Sequence, residues 1–454
     1  SEVLYPMSCT GEHEGTYRYA IELPVTSRGL YFYHFRIDTD DDKQVRIGSD
    51  DDLSALYGKG GDWQLTVYEP SDGPDWIEGG IVYQILPDRF NIGGERHKTK
   101  PYAVYRDDWG GLPEYRPTPE GKTLNIDFFG GNLKGITKKL AYLKSLGVTC
   151  LYLNPIFEAH SNHKYDTGNY RRVDPDFGTA DDLKELIVKA GKKGIRILLD
   201  GVFSHTGDDS IYFNRYGTYD SVGAYQSENS VYRPWYTFGK TADDYKCWWN
   251  ILILPEVNEN DPTYSEYICG EDGILRYWTR MGLGGWRLDV ADELPDAFLD
   301  RAAAAVRKVC PDAMMLGEVW EDASNKVAYG ETRCYCTGDT LDSVMNYPVR
   351  EAILNFVMGK TSASTFVRLI HHQEEVYPAQ FRYALMNLVG SHDRCRALNI
   401  LAGRECQELS KADQQHVHLN VEEYELAVRR YKLCIDLLCA LPGCATVYYG
   451  DEVG

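Results

Sequence analysis

Four acidic residues stand where short apolar runs end. Asp200 follows Ile195-Arg196-Ile197-Leu198-Leu199, Asp289 follows Gly285-Trp286-Arg287-Leu288, Glu318 follows Met314-Met315-Leu316-Gly317, and Asp393 follows the run from Met386 to His392. Cleaving a glycosidic bond with retention takes two carboxyl groups about 5 Å apart, one attacking the anomeric carbon as its anion, the other protonating the departing oxygen. Asp289 and Glu318, on consecutive runs, are the candidates for nucleophile and general acid/base. Side chains alternate along a strand, so Arg287 points the same way as Asp289 and is expected to hold it ionised. Leu316, Val319 and Trp320 surround Glu318 with apolar groups, which suits the acid's role. One strand-end acid serves a helix cap or an ion pair as readily as catalysis, whereas four on four strands point to a site.

The elements needed to hold these residues are legible from residue 80 onward, where short apolar strands alternate with amphipathic helices as parallel βα units do. The strand candidates are Ile81 to Leu86, Thr149 to Leu153, Ile195 to Leu199, Gly285 to Leu288, Ala313 to Leu316, Asp342 to Met345, Tyr383 to Leu388 and Ala445 to Tyr449. Eight parallel strands predict a TIM (β/α)8 barrel, whose sites form from the loops after the strands. Leu133, Ile136, Leu140, Leu143 and Leu146 keep helical spacing, with Gly147 as the stop. Thr179 and Asp182 form a variant capping box ahead of Leu183, Leu186, Ile187 and Ala190. Residues 76–203 and 262–454 are read as the two parts of the barrel, and 204–261, rich in Tyr, Trp, Ser and Asp, as a lobe inserted after the third strand. Residues 1–75 are expected to form a short β-sandwich, because Tyr17, Tyr19, Ile21 and Leu23 alternate, as do Tyr31, Tyr33, Phe35 and Ile37. Ser71-Asp72-Gly73-Pro74 marks the boundary. Gly454 follows the eighth strand candidate directly, so the closing helix and any C-terminal β domain are expected to be missing from this chain.

The motifs resemble those of glycoside hydrolase family 13, the α-amylase family, over nearly all of residues 78 to 454. Asp200-Gly201-Val202-Phe203-Ser204-His205 resembles the first motif, with Ser204 where Asn is usual. Gly285-Trp286-Arg287-Leu288-Asp289-Val290-Ala291-Asp292-Glu293 resembles the second, Gly317-Glu318-Val319-Trp320 the third and Gly390-Ser391-His392-Asp393 the fourth. The resemblance implies that Asp289 attacks, Glu318 acts as acid then base, Asp393 stabilises the oxocarbenium-like transition state and Arg287 orients Asp289. It further implies sugar contacts for His205 and His392, and a stacking role for Tyr165 within His163-Lys164-Tyr165-Asp166. His163, Asp166, Asp200, Asp292, Glu293, Trp320 and Arg396 complete the expected substrate-binding set. Leu254-Pro255-Glu256-Val257-Asn258 and Val344-Met345-Asn346-Tyr347-Pro348 are similar to segments of neopullulanases, cyclomaltodextrinases and maltogenic amylases. An amylopullulanase, an α-glucosidase, a 4-α-glucanotransferase and a non-catalytic α-glucan-binding relative are the alternatives. The family's calcium segments correspond to Asn91-Ile92-Gly93-Gly94-Glu95 and Gly130-Gly131-Asn132, which carry few carboxylates, so a weak Ca2+ site or none is expected. No other cofactor is required.

The implied partners are α-glucan oligosaccharides or polysaccharides. A formal charge of -20 and a pI near 5.0 oppose binding to nucleic acid. No run of about 18 apolar residues is present to span a membrane. Trp248 and Trp249 in the inserted lobe are as readily lobe packing as sugar platforms. Twelve scattered cysteines are read as free thiols, favouring a cytoplasmic location, with secretion as the alternative. A starch-binding-type N-terminal module makes a homodimer an expectation.

Overall fold

The computed structural model describes residues 3–453 apart from 26, 42, 50–54, 59, 71–72, 115, 120–122, 339, 405, 407–408 and 415. It divides into two compact units, Ser1–Glu69 and Pro70–Gly454. Ser71 and Asp72, half of the expected boundary signal, lie outside the described residues.

The first unit consists of short antiparallel ladders. Ser8–His13 pairs with Thr16–Ala20, Gly29–Tyr33 pairs with Trp63–Val67, and Phe35–Asp38, Gln44–Ser49 and Ala55–Tyr57 form a three-stranded sheet. Alternation yields strands here, but not the buried face that a sandwich requires. Every residue of the first two strands is exposed, as are Tyr33, Phe35 and Ile37, while Ile21 and Leu23 lie beyond the strand. An alternating pattern lines up a face, and burial needs an opposing layer that two- and three-stranded ladders do not supply. Trp63 is buried, stacked on Tyr33 at 5.7 Å.

The second unit is built on a closed parallel barrel of eight strands: β1 (Ile81–Ile85), β2 (Cys150–Leu153), β3 (Arg196–Gly201), β4 (Gly285–Leu288), β5 (Met314–Gly317), β6 (Ser343–Asn346), β7 (Met386–Asn387) and β8 (Cys444–Tyr448). β1 pairs with both β2 and β8, which closes the ring. The two faces of each strand have separate destinies. Val82, Cys150, Tyr152, Leu198, Met314, Leu316, Met345, Met386 and Cys444 pack together as the filled barrel interior. Their neighbours Tyr83, Leu151, Ile197, Leu199, Trp286, Leu288 and Met315 belong to the larger core shared with the helices. All eight expected strands are present, but the seventh is shorter than expected: Tyr383 ends a helical turn, Ala379–Tyr383, which Pro378 opens. An aromatic residue with high strand propensity is overruled there by its neighbours.

Between β1 and β2 runs α1 (Leu133–Ser145), capped by the Asn132 side chain on the Gly135 N–H. Gly147 follows at φ +82°, the left-handed turn that ends the helix, and Leu146 sits at the cap half out of the core rather than on the buried stripe. α2 (Ala180–Gly191) carries the expected capping box. Thr179 accepts from the Asp182 N–H, Asp182 reaches back to the Thr179 N–H, and Leu183, Leu186, Ile187 and Ala190 are buried. Residues 204–261 contain no β-strand. Isolated bridges such as His205 with Glu256 and Cys247 with Pro255 hold them, and Tyr212, Phe213, Trp235, Tyr236 and Tyr245 pack as an aromatic core. Among the described residues no helix is long and apolar enough to cross a membrane.

Candidate active site

The barrel register brings the acids together. Asp200 is the register partner of Arg287, and Arg287 that of Leu316, so β3, β4 and β5 end at one level. The ladder continues past the strands: the Asp289 N–H donates to Gly201 O at 3.1 Å and the Glu318 N–H to Leu288 O at 3.0 Å. Both acids therefore leave from fixed backbone rather than from mobile loop.

One guanidinium, fully buried, joins three carboxylates. Arg287 Nη1 donates to Asp200 Oδ1 at 2.8 Å and to Asp289 Oδ1 at 2.7 Å. Nη2 lies 2.9 Å from Glu318 Oε2 as an ion pair without hydrogen-bond alignment. Glu318 is further held by the Val290 N–H on Oε2 at 2.8 Å and by Trp320 Nε1 on Oε1 at 3.2 Å. Val290 adopts φ +41°, a left-handed conformation costly for a β-branched residue, directly after Asp289. Arg287 lies beside Asp289 as expected, but it is not the largest influence on the carboxyl. Burial pushes the Asp289 carboxyl well above its ordinary value; Arg287 opposes the rise, while Glu318 and Asp200 add to it. One guanidinium thus stands against three buried carboxylates, and its charge offsets only part of the cost of ionising Asp289.

A second network lies beside Asp200. Tyr152 and Tyr165 donate their hydroxyls to Asp200 Oδ2 at 2.7 and 2.8 Å. Tyr165 is stacked on His392 with centroids 5.2 Å apart, and Asn154 donates to its hydroxyl oxygen at 2.8 Å. Gln84 contacts His392 Nδ1 at 2.7 Å, and His392 Nε2 lies 3.3 Å from Asp393 Oδ2. Burial lowers the pKa of His392 to about 4, with Arg287 acting in the same direction, so its imidazole is neutral at pH 7. Asp393 receives the Tyr347 hydroxyl at 3.4 Å, and burial raises its carboxyl. Trp320 stacks flat on Tyr347 at 4.2 Å, with the Arg394 guanidinium over its ring.

The structure thus gathers Asp200, Arg287, Asp289, Glu318, Asp393, Tyr165, His392 and Trp320 into one cluster. The other expected residues have the following partners. Asp166 accepts from the backbone and hydroxyl of Ser161, and His163 Nδ1 accepts from the Tyr165 N–H. His205 pairs with Ser204 Oγ at 2.9 Å and faces Trp248. Asp292 accepts from the Tyr335 hydroxyl at 2.7 Å, Glu293 from two indoles, and Arg396 is bound to Asp451 and to Tyr449 O. Gln84, Tyr152, Asn154 and Tyr347 were not singled out from the sequence. Gln84 alone offered a signal there, as an amide at an inward position of an apolar strand.

In the segments compared with calcium ligands the Asn132 carbonyl is already taken by backbone donors. Asn132 Oδ1 accepts from both Gly93 N and Gly135 N, its Nδ2 donates to Gly93 O, and Asn91 Nδ2 donates to Gly135 O. Both lone pairs of the Asn132 carbonyl are used. Among the described residues no group of three His, Cys, Asp or Glu side chains is placed to hold a metal ion.

Comparison with known proteins agrees with this geometry. Residues 84–454 match the model of the alpha-amylase catalytic domain. The chain is 37% identical over 502 residues to an amylopullulanase of Thermoanaerobacterium saccharolyticum, covering 99% of this chain and 38% of that protein. It is 31% identical to neopullulanase 2 of Thermoactinomyces vulgaris, over 88% of this chain and 61% of the relative. The type III pullulan hydrolase from Thermococcus kodakarensis superposes with a TM-score of 0.68 at 29% identity, covering 90% of this chain and 69% of that one. The chain spans only part of the length of the curated relatives it matches. A closed eight-stranded barrel with its acids at the strand ends and a family match over most of its length place the chain in the α-amylase family, glycoside hydrolase family 13.

Proposed function

We propose that the chain hydrolyses α-1,4-glucosidic bonds in maltooligosaccharides, cyclodextrins, starch or pullulan by double displacement. The observation that carries this reading is the single buried guanidinium joining Asp289 and Glu318 at the ends of adjacent strands. Arg287 makes an aligned hydrogen bond to Asp289 and an unaligned contact to Glu318, so the guanidinium opposes the effect of burial most directly at Asp289, the group that must attack as its anion. In the first step the Asp289 carboxylate attacks the anomeric carbon while Glu318 gives its proton to the departing glycosidic oxygen, leaving a glycosyl ester on Asp289. In the second, water attacks the same carbon, the Glu318 carboxylate takes its proton, and Asp289 is released. The neutral His392 and the Asp393 carboxyl suit sugar hydroxyls as donor and acceptor, and Tyr165 offers a ring face. Hydrolysis of this kind needs no organic cofactor.

A second reading, with α-1,6 bonds cleaved as well, is favoured by the 99% coverage of this chain in its alignment with a protein named amylopullulanase. Products from pullulan, β-cyclodextrin and maltotriose separate the two. Panose with opened cyclodextrin supports α-1,4 cleavage, whereas maltotriose from pullulan supports α-1,6 cleavage. Asp289→Asn is expected to abolish turnover with the fold kept, and a rate near the parent's would remove Asp289 as nucleophile.

A further inference from the structure

Trp248 and Trp249 lie in a short turn, Trp248–Asn250, of the inserted segment. Both indole N–H groups donate to one carboxylate, Trp248 to Glu293 Oε2 at 2.6 Å and Trp249 to Glu293 Oε1 at 2.7 Å. Trp249 and Asn250 hold left-handed backbone, φ +49° and +62°, a conformation that is costly for a bulky side chain. Trp249 nevertheless leaves 74% of its surface exposed. Glu293, in turn, is built against the acid/base. Its N–H donates to Val290 O at 2.8 Å, and the Val290 N–H donates to Glu318 Oε2. On the other side Trp248 continues to the His205 ring at 5.3 Å. The double pin holds an exposed ring face that is joined to Glu318 through Glu293 and Val290.

We propose that Trp249, locked by Glu293, is the stacking platform for the sugar on the leaving-group side of the scissile bond. This rests on the α-glucan hydrolase reading above. Glu318 protonates the leaving oxygen, so the sugar bearing that oxygen lies on the Glu318 side of the nucleophile, where the Val290–Glu293 turn holds the indole. Glucose rings present C–H faces that pack on a flat aromatic surface, and a ring that is already immobile loses little entropy on binding. Glu293 is then a positioning residue, since both of its carboxylate oxygens are engaged by indoles.

The test is steady-state hydrolysis of maltotriose and maltohexaose by the parent, Trp249→Ala, Trp249→Phe and Glu293→Gln, with maltohexaose quenching of tryptophan fluorescence in an Asp289→Asn background. Trp249→Ala is expected to raise KM for maltohexaose about 3- to 10-fold with kcat within about twofold, from the usual worth of one aromatic stack. Trp249→Phe should recover most of the loss, Glu293→Gln should fall between, and the quench should shrink when Trp249 is absent. A parent that hydrolyses maltohexaose while Trp249→Ala keeps its KM and its quench overturns the platform and leaves the hydrolase reading standing. A parent that neither hydrolyses nor binds the oligosaccharide overturns both.

Discussion

Replacing Arg287 by Met keeps most of the length of the side chain and removes its charge. Asp200, Asp289 and Glu318 would then face an apolar stem in a site where the Arg287 side chain has no exposed surface. Removing one partner of a buried ion pair costs about 3–5 kcal/mol, because the remaining charge is stranded. The loss has a pH signature that packing alone does not have. Burial already raises the Asp289 carboxyl, and without the opposing guanidinium it rises further. A carboxyl whose folded pKa is raised destabilises the fold at every pH above its unfolded value. The penalty grows by about 1.4 kcal/mol per pH unit up to the folded pKa, and it vanishes below about pH 4, where both states are protonated. Arg287→Met should therefore be about 3–5 kcal/mol less stable than the parent at pH 8, with a smaller deficit at pH 5, because the electrostatic part of the deficit opens only above the parent's own, already raised, Asp289 pKa. Urea unfolding followed by fluorescence of the nine tryptophans measures both. Equal deficits at the two pH values would show that Arg287 contributes packing only and would refute the charge-sharing account.

Two further outcomes test how the site is held. A Cβ at Gly285 would meet Met314 O at 2.0 Å, and the residue sits at φ +149°, so Gly285→Ala should cost more than about 2 kcal/mol and lower the thermal midpoint; a shift under one degree would sink the close-approach reading. His372 Nε2 lies 2.7 Å from Asp322, four residues past Glu318, and that hydrogen bond raises the His372 pKa. Its contribution is fully present below the unfolded pKa near 6.5 and is lost as pH rises through the folded value, so His372→Gln should cost about 1 kcal/mol at pH 6 and almost nothing at pH 9. A loss independent of pH would contradict this.

The barrel was legible because each strand carries its own signal. Ile195 to Leu199 and Gly285 to Leu288 are short apolar runs that fill an interior and an exterior layer, and Thr179 with Asp182 writes a helix start into three residues. Of the site, only residues inside compact motifs could be read. Gln84, Tyr152 and Tyr347 reach the cluster from three other strand ends; Gln84 is marked only as an amide in an apolar strand, and nothing local marks the hydroxyls of Tyr152 and Tyr347 as site groups. The N-terminal strands were equally visible, but their burial was not, since Tyr17 and Phe35 are exposed although their pattern alternates.

The sequence by itself determined that strands end at Asp200, Asp289 and Glu318 and that Asp393 follows a further strand, because alternation and apolar runs are local properties of the chain. Only the tertiary structure decided how their charge is shared. The parallel register sets Arg287 beside Asp200 as well as Asp289 and brings Glu318 within 2.9 Å, so a pairing read as one-to-one becomes one cation among three acids. Tertiary packing likewise joined Glu293 to Trp248 and Trp249, 45 and 44 residues apart in the chain, and gave Asp292 and Arg396 their partners Tyr335 and Asp451. The physical reason is the same in each case: hydrogen bonds and charge act through space, and the distances that matter are set by the closed barrel rather than by order along the chain.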